Sequence, residues 1–486
     1  MAPEKALGSR NMYTVGWITA LPIELAAAIA ILEEEHKKPL DFVKPTTDDN
    51  VYTWGRIAEH NIVLATLPAG VYGVTSAAVT ATSMLSSFPQ IRFGLMVGIG
   101  AGIPRPDRDI DIRLGDIVVS QPSGTSGGVI QYDNQAAQAG GQIKRRGFLR
   151  PPPQILLSAL GQLQAQHEFR SEIPKILEDM FKNHPNLKRA THKRPSYAYQ
   201  GHEHDKLFKA TSTHIPGRDC NNCDPEQQVK RDQRELLDPE IHYGLIASGN
   251  TLVKDAAHRE SLLKELDDNC VCFDMEAAGL MNNFPCLVIR GICDYADAHK
   301  NDRWQRYAAA TAAAYTKEFL GVVPGEDLER VQTAKDMMEL SDNIKEIRSV
   351  TRHTKDSVEN LAVQQQQQKI NAWLSPSDPS TNYHNARKQR HAHSGQWFLQ
   401  SKKYTTWKSK QNSFLWLNGI SGTFPSKPRL TGNKAIASVA KASKKVITIS
   451  STLEFISSQQ FQPLQCYSTR TVLFSTTTDS ASYSFD

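Results

Sequence analysis

The run Leu287-Val288-Ile289-Arg290-Gly291-Ile292-Cys293-Asp294 constrains this chain more than any other stretch. It reads as a buried β-strand and ends on a carboxylate, where an open α/β sheet exposes its binding crevice. Just upstream, Cys272-Phe273-Asp274-Met275-Glu276-Ala277-Ala278-Gly279-Leu280 reads as the opening of a helix with a second carboxylate in its first turn. Two acids are thereby delivered to one sheet edge. Singly, each has an ordinary structural use, since a strand-end Asp caps the next helix and a first-turn Glu complements the helix dipole.

The residues before this run alternate between strand and helix. Tyr13 to Ala20 are strand formers, and Leu21-Pro22-Ile23-Glu24 leads into an Ala-rich helix expected to end near His36, with Glu24 at its start. Val51 to Ala58 and Asn61 to Leu67 read as a hairpin about Glu59-His60. The loop Leu67 to Gly73, with Gly70 in it, precedes a small-residue helix, Val74 to Leu85. Its glycines let backbone N–H groups approach a ligand. Gly94 to Gly102 contains Gly-x-Gly-x-Gly but runs on into Ile103-Pro104 with no helix, so it is a weak dinucleotide signal. Leu114 to Ser120 and Ile241 to Leu252, the latter with Ser248-Gly249-Asn250, add strands, and the Ala-rich helix Trp304 to Phe319 is expected to pack on the sheet.

Between about 121 and 239 lies an insertion rich in Lys144, Arg145, Arg146, Arg150, Lys188, Arg189, Lys193 and Arg194. Such a charge run is usually a solvated face, and its sharper reading is a basic lid over an anionic substrate. Cys220-Asn221-Asn222-Cys223, with His202, His204 and His214 upstream, holds the donor types of a zinc site. A lone Cys-x-x-Cys is a weak pattern, and no metal and no cofactor are expected on its strength. The seven cysteines are odd in number and scattered, which reads as reduced core thiol. A net charge of +5 permits anionic ligands without calling for nucleic acid. No apolar run reaches the roughly 18 residues that span a bilayer, and no signal peptide opens the chain. A cytoplasmic protein with no membrane partner is the expectation.

After Val323-Pro324-Gly325, apolar residues recur on a charged background, and 326–370 reads as an amphipathic helix or coiled-coil linker ending at Gln364 to Gln368. A basic, aromatic-punctuated region at 371–422 leads to Phe414-Leu415-Trp416-Leu417-Asn418-Gly419. This has the shape of a strand entering a phosphate-binding loop, but the second glycine and the lysine are missing. Residues 423–486 are Ser-, Thr- and Lys-rich and read as poorly ordered.

Residues 12–322 resemble the nucleoside phosphorylase and nucleosidase superfamily, in its methylthioadenosine/S-adenosylhomocysteine nucleosidase branch. The resemblance rests on ordered motifs: Val15 to Ala20 with Glu24, Ala69 to Gly73, Val97 to Gly102, Leu114 to Ser120, Ser248-Gly249, Met275-Glu276-Ala277 and Ile292-Cys293-Asp294. It implies a three-layer α/β/α sandwich around a central mixed sheet. By the same resemblance Asp294 protonates N7 of the departing purine, Glu276 with Met275 holds the ribose hydroxyls, and Glu24 orients and activates water. Leu252 and Val253 fall at the base-stacking wall, and Gly70 and Ser248 at the substrate. The whole chain is similar to fungal immune-receptor-type proteins in which such a domain precedes a NACHT-class nucleoside triphosphatase, here with only a degenerate remnant of that module.

Breaking an N-glycosidic bond passes through an oxocarbenium-like sugar, so the purine must be protonated and the sugar needs carboxylates and a placed nucleophile. Apolar Ile292 and Cys293 are expected to help Asp294 keep its proton. Water is favoured over phosphate. The family's phosphate-binding arginines have no counterpart in Leu21 to Glu24 or Met96 to Gly98, and Arg92 lies four residues too early. The expected activity is hydrolysis of a purine nucleoside or nucleotide to the free base, with ATP or a related adenine nucleotide favoured by the basic insertion, in a homo-oligomer. Two other readings stay open: a phosphate-dependent phosphorylase, and a non-catalytic purine sensor or oligomerisation module.

Overall fold

A computed structural model describes residues 5–137, 143–191, 194–217, 219–266, 270–328, 331–374 and 399–409, together with His384 and Lys388. The remnant at 371–422 falls mostly outside the described residues, and the tail at 423–486 entirely so. The chain divides into two compact units, Met1–Glu346 and Ile347–Asp486.

In the first unit the strands are β1 (Lys5–Ala6), β2 (Val15–Thr19), β3 (Glu34–Lys37), β4 (Tyr52–Ile57), β5 (His60–Thr66), β6 (Phe93–Gly102), β7 (Ile117–Ser120), β8 (Val129–Gln131), β9 (Gln135–Ala137), β10 (Ile143–Arg145), β11 (Ile241–Ser248), β12 (Cys270–Asp274) and β13 (Cys286–Asp294). The helices are α1 (Pro22–Ala30), α2 (Val74–Ser87), α3 (Gln154–His167), α4 (Ile173–Asn183), α5 (Ala256–Glu265) and α6 (Gln305–Val322). One mixed sheet runs β1-β3-β4-β5-β2-β6-β12-β11-β7-β13, with β8 beside β11. Because β6 also pairs with β13, in parallel from Gly94↔Cys286 to Ala101↔Asp294, the sheet curls until β6, β12, β11, β7 and β13 close on one another. The ends of β2, β6, β12 and β13 converge there.

Strand alternation sorts the core into two layers. Trp17, Leu64, Leu95, Val97, Val119 and Ile289 face α1, α3, α4 and α6, while Ile18, Val63, Met96, Val118, Val288 and Ile292 face α2 and residues 277–284. Helix covers both faces, and the result is the expected three-layer α/β/α arrangement. The Ala-rich face of α6 lies flat on β13, where Gly291 meets the Ala308 carbonyl with no room for a Cβ.

Three local expectations change. The first helix stops at Ala30, because Glu34–Lys37 instead pairs with β4 in antiparallel register, Glu34 opposite Arg56. Sheet pairing there overrides the helix preference of Glu and Lys. The helix expected at Met275 to Leu280 is a single 3-10 turn, Ala277–Gly279, seated on the Val74 carbonyl. Within 121–239, β8 joins the main sheet, and α3 and α4 bury Leu156, Leu160, Leu163, Leu177, Met180 and Phe181 in the main core.

The second unit is described mainly by the remainder of a long helix, Ala334–Leu374, which begins in the first unit, and by the short helix Lys402–Ser409. Along the long helix Ile347, Val350, Val358, Leu361, Val363 and Ile370 are exposed. No helix among the described residues is long and apolar enough to cross a membrane.

Candidate active site

A cavity of about 290 Å³ opens where the strand ends converge, lined among others by Glu24, Leu252, Val253, Met275, Glu276 and Asp294. Four segments deliver these residues: α1, the stretches that follow β11 and β12, and the end of β13. Pro22 starts α1, and Glu24 Oε2 turns back to accept the backbone N–H groups of Ala20 (2.7 Å) and Leu21 (2.9 Å), capping its own helix. Its Oε1 accepts the N–H of Ile99 at 2.8 Å. A carboxylate offers about four lone-pair sites, so this leaves one for a ligand or water. Burial raises the Glu24 pKa, against the pull of Arg290 and these N–H donors.

The centre of the cluster is Arg290, wholly buried on β13. Its guanidinium pairs with Asp274 and lies 3.4 Å from Glu276 Oε2 and 3.4 Å from the Ile99 carbonyl. One cation therefore serves Asp274, Glu276 and, electrostatically, Glu24. Isolated buried charge is costly, so this sharing leaves the carboxylates under-neutralised. Burial, then the neighbouring Asp274 and Glu24, push Glu276 up to about 7 in spite of Arg290. Asp274 Oδ2 also accepts the N–H of Ala277 at 3.0 Å, whereas Oδ1 is buried with no hydrogen-bond partner among the described residues.

Glycine at 98 is required by this packing: a Cβ there would stand 2.5 Å from Glu24 Oε1 and 2.6 Å from an Arg290 nitrogen. At Gly100 it would meet Cys272 Sγ at 2.6 Å. The Gly-x-Gly-x-Gly run thus makes space for the buried ion cluster, and needs no dinucleotide to explain it.

Asp294 also lines the cavity. Its Oδ2 pairs with Lys300 Nζ at 2.8 Å and accepts the Cys293 thiol at 3.1 Å, while Oδ1 accepts the N–H of Ala296 at 3.0 Å. Burial lowers the Lys300 pKa, but Asp294 outweighs it and the net shift is upward. The neighbours of Asp294 are thus not only the apolar Ile292 and Cys293, because the Lys300 ammonium lies beside its carboxylate.

Two residues assigned to the substrate lie elsewhere. Ser248 is fully buried, and its Oγ accepts the N–H of Ala278, which fixes the turn behind Glu276. Gly70 does not line the cavity; from the same loop Tyr72 does, and the Gly73 N–H reaches Glu276. The aromatic lining absent at Leu252 and Val253 comes from Phe273 and Tyr132, edge to face at 5.8 Å. Of the insertion's cations, Arg146, Arg150, Lys188, Arg189 and Arg194 do not line the cavity.

Arg290, Asp274, Phe273 and Lys300 are the site residues that motif reading passes over. Arg290 alone carries a sequence signal, as a charge inside an apolar strand, which burial obliges to find partners.

No family profile matches the chain. In sequence it is 45% identical over 323 residues to a nucleotide-binding leucine-rich repeat (NLR)-like protein of Hyaloscypha variabilis, covering 66% of this chain and 30% of that protein. It is 26% identical over 318 residues to the ATP nucleosidase Cap17 of Escherichia coli, covering 62% of this chain and 50% of that one. The chain therefore spans half or less of the length of these relatives. Among solved structures, futalosine hydrolase of Helicobacter pylori aligns with 17% identity and a TM-score of 0.39 over 64% of this chain and 99% of that one. Methylthioadenosine/S-adenosylhomocysteine nucleosidase of Neisseria meningitidis aligns with 17% identity and a TM-score of 0.40 over 63% and 98%. The chain is thus similar in sequence to part of an NLR-like protein and to part of an ATP nucleosidase.

Proposed function

We propose that the cavity hydrolyses the N-glycosidic bond of a purine nucleoside or nucleotide and releases the free base. The observation that carries this reading is the gathering of Glu24, Glu276 and Asp294 from separate elements around one 290 Å³ cavity. Glu276 accepts the ribose hydroxyls, and Phe273 offers the purine a face. The remaining lone pair of Glu24 takes a proton from the attacking water, while the carboxylates stabilise the oxocarbenium-like sugar. A proton relayed from the Lys300 ammonium through Asp294 reaches N7 of the leaving base, and the neutral Lys300 amine regains one from solvent.

Water as nucleophile is supported by the accounting of cations. Lys300 is the one Lys or Arg among the described residues lining the cavity, and it is held by Asp294. Arg290 is held by Asp274 and Glu276. Neither is free for an inorganic phosphate beside the reacting sugar carbon, where an unneutralised anion would be costly, whereas a nucleotide's own phosphates hang from the far 5′ carbon and need not enter that spot. An adenine nucleotide such as ATP is the favoured substrate on the likeness to an ATP nucleosidase. The basic insertion lends this no support, since its cations named above stay off the cavity. We also propose that the chain acts in immune or heterokaryon-incompatibility-type signalling as a cytoplasmic homo-oligomer, a reading that takes from the comparisons only the likeness to an NLR-like protein.

The test is reverse-phase detection of free adenine from ATP, adenosine and methylthioadenosine, with and without phosphate. Release in phosphate-free buffer, fastest from ATP, is expected. Strict phosphate dependence would make the enzyme a phosphorylase, and purine binding without release would make it a sensor.

A further inference from the structure

The Cys-x-x-Cys pair of the insertion acquires partners that sequence spacing does not reveal. Of the three upstream histidines, His202 and His204 turn instead toward Glu203, at 3.7 and 3.6 Å. His214 joins the pair, with Nδ1 at 3.3 Å from Cys223 Sγ and 4.0 Å from Cys220 Sγ. The fourth member comes from a distant part of the chain: His299, five residues beyond Asp294, places a ring nitrogen within 4.8 Å of both the His214 nitrogen and Cys223 Sγ. Cys220 Sγ in turn donates to the His299 carbonyl at 3.6 Å.

We propose that His214, Cys220, Cys223 and His299 form a tetrahedral zinc site that ties the insertion to the loop carrying Lys300. Zinc at about 2.3 Å from sulfur and about 2.05 Å from nitrogen in a tetrahedron sets sulfur–nitrogen separations of about 3.6 Å. The two distances from His214 Nδ1 bracket that figure; Cys220 Sγ falls outside the group whose donor atoms all lie within 4.8 Å of one another, so its thiol must swing inward to complete the tetrahedron. Two thiolates with two imidazoles is a donor set suited to zinc, and four protein ligands leave no open position, which makes the site structural. Both thiols give up their protons to solvent as the metal binds. Asp297 Oδ2, 3.8 Å from His299 Nδ1, is placed to orient that ring.

The surroundings argue that something beyond apolar packing holds this loop. The described residues of 211–223 form no helix or strand, and among the described residues the hydrophobic cluster here consists of Phe208, Cys220 and Cys223. Phe208 stacks on the His299 ring at 3.9 Å between centroids. Three such side chains bury too little surface to order a dozen residues, each costing about 1–2 kcal/mol of backbone entropy. A small cavity of about 30 Å³ borders Cys220 and His299 on one side and Asp294 and Lys300 on the other. The metal would therefore fix the segment that presents Lys300 to Asp294, although it takes no part in the chemistry.

The test is the metal content of the full-length chain, purified without chelator, by inductively coupled plasma mass spectrometry. About one zinc per chain is expected, falling to background in the double variant C220S/C223S. In metal-stripped protein, cobalt(II) should give thiolate-to-metal charge-transfer bands, and His299→Ala should weaken cobalt binding at least about 10-fold while keeping those bands. Wild-type protein with no zinc and no cobalt bands, or a Cys220–Cys223 disulfide found by mass spectrometry under non-reducing conditions, overturns the proposal. Unchanged cobalt affinity in the His299 variant removes that residue from the site and overturns it as stated. Should the double variant fail to fold, the wild-type metal content and cobalt spectrum still decide. None of these readouts depends on nucleosidase activity.

Discussion

At the scale of the residue, Arg290 determines how the candidate site is charged. It lies wholly buried among Asp274, Glu276 and Glu24. Removing one partner of a buried ion cluster costs about 3–5 kcal/mol. Arg290→Met should therefore lose about that much stability in urea titrations, and a loss under 1 kcal/mol would show that the cluster does not depend on it. Glu276, raised to about 7, adds a pH signature. Its ionised form accepts ribose hydroxyls, so kcat/KM should fall about tenfold per unit as pH drops below about 7. Glu276→Gln should lose this acidic limb along with most of the rate; a limb that persists belongs to another group. Glu24, Glu276 and Asp294 were legible because each stands in a motif at an element's end. Lys300 and Asp274 were not, because their importance comes from contacts with residues that spacing alone does not bring near.

At the scale of the element, the glycines of β6 and the closed run of strands hold these side chains in place. Gly98→Ala would drive a methyl against Glu24 and Arg290, which are held by their own partners and cannot yield freely. A cost of about 1–3 kcal/mol and a marked loss of turnover are expected. Gly161→Ala, in α3 with nothing within 4 Å of the added methyl, is the matched control and should stabilise by about 0.5–1 kcal/mol in the same denaturation assay. Strands, hairpin and the sheet-covering helix followed from periodicity and turn residues. The short first helix and the single turn after Asp274 did not, since strand pairing and the seat on Val74 decide them from outside the segment. The metal-type cluster was half legible: Cys220, Cys223 and His214 are close in sequence, whereas His299 comes from the far side of the sheet's last strand.

At the scale of the whole molecule, the buried carboxylates trade stability for function. Glu276 binds its proton more tightly in the folded chain, with a pKa of about 7 against 4.5 for the free side chain. The folded state therefore holds more protons between these values, and stability should fall as pH rises from about 4.5 to about 7, by about 3 kcal/mol from this residue. Chemical denaturation across that range should show the decline in wild type and a flatter curve in Glu276→Gln; equal slopes would remove Glu276 as its source. The nucleosidase-like reading belongs to the first unit, and the exposed apolar residues of Ala334–Leu374 belong to a separate part of the chain. The central claim, that Asp294 delivers the proton that frees the base, is tested most directly by measuring free adenine produced from ATP in phosphate-free buffer by wild type and by Asp294→Asn. General acid catalysis contributes about 10²–10⁴-fold, so the variant should lose that much rate while still binding purine. Undiminished adenine release by Asp294→Asn would contradict the account.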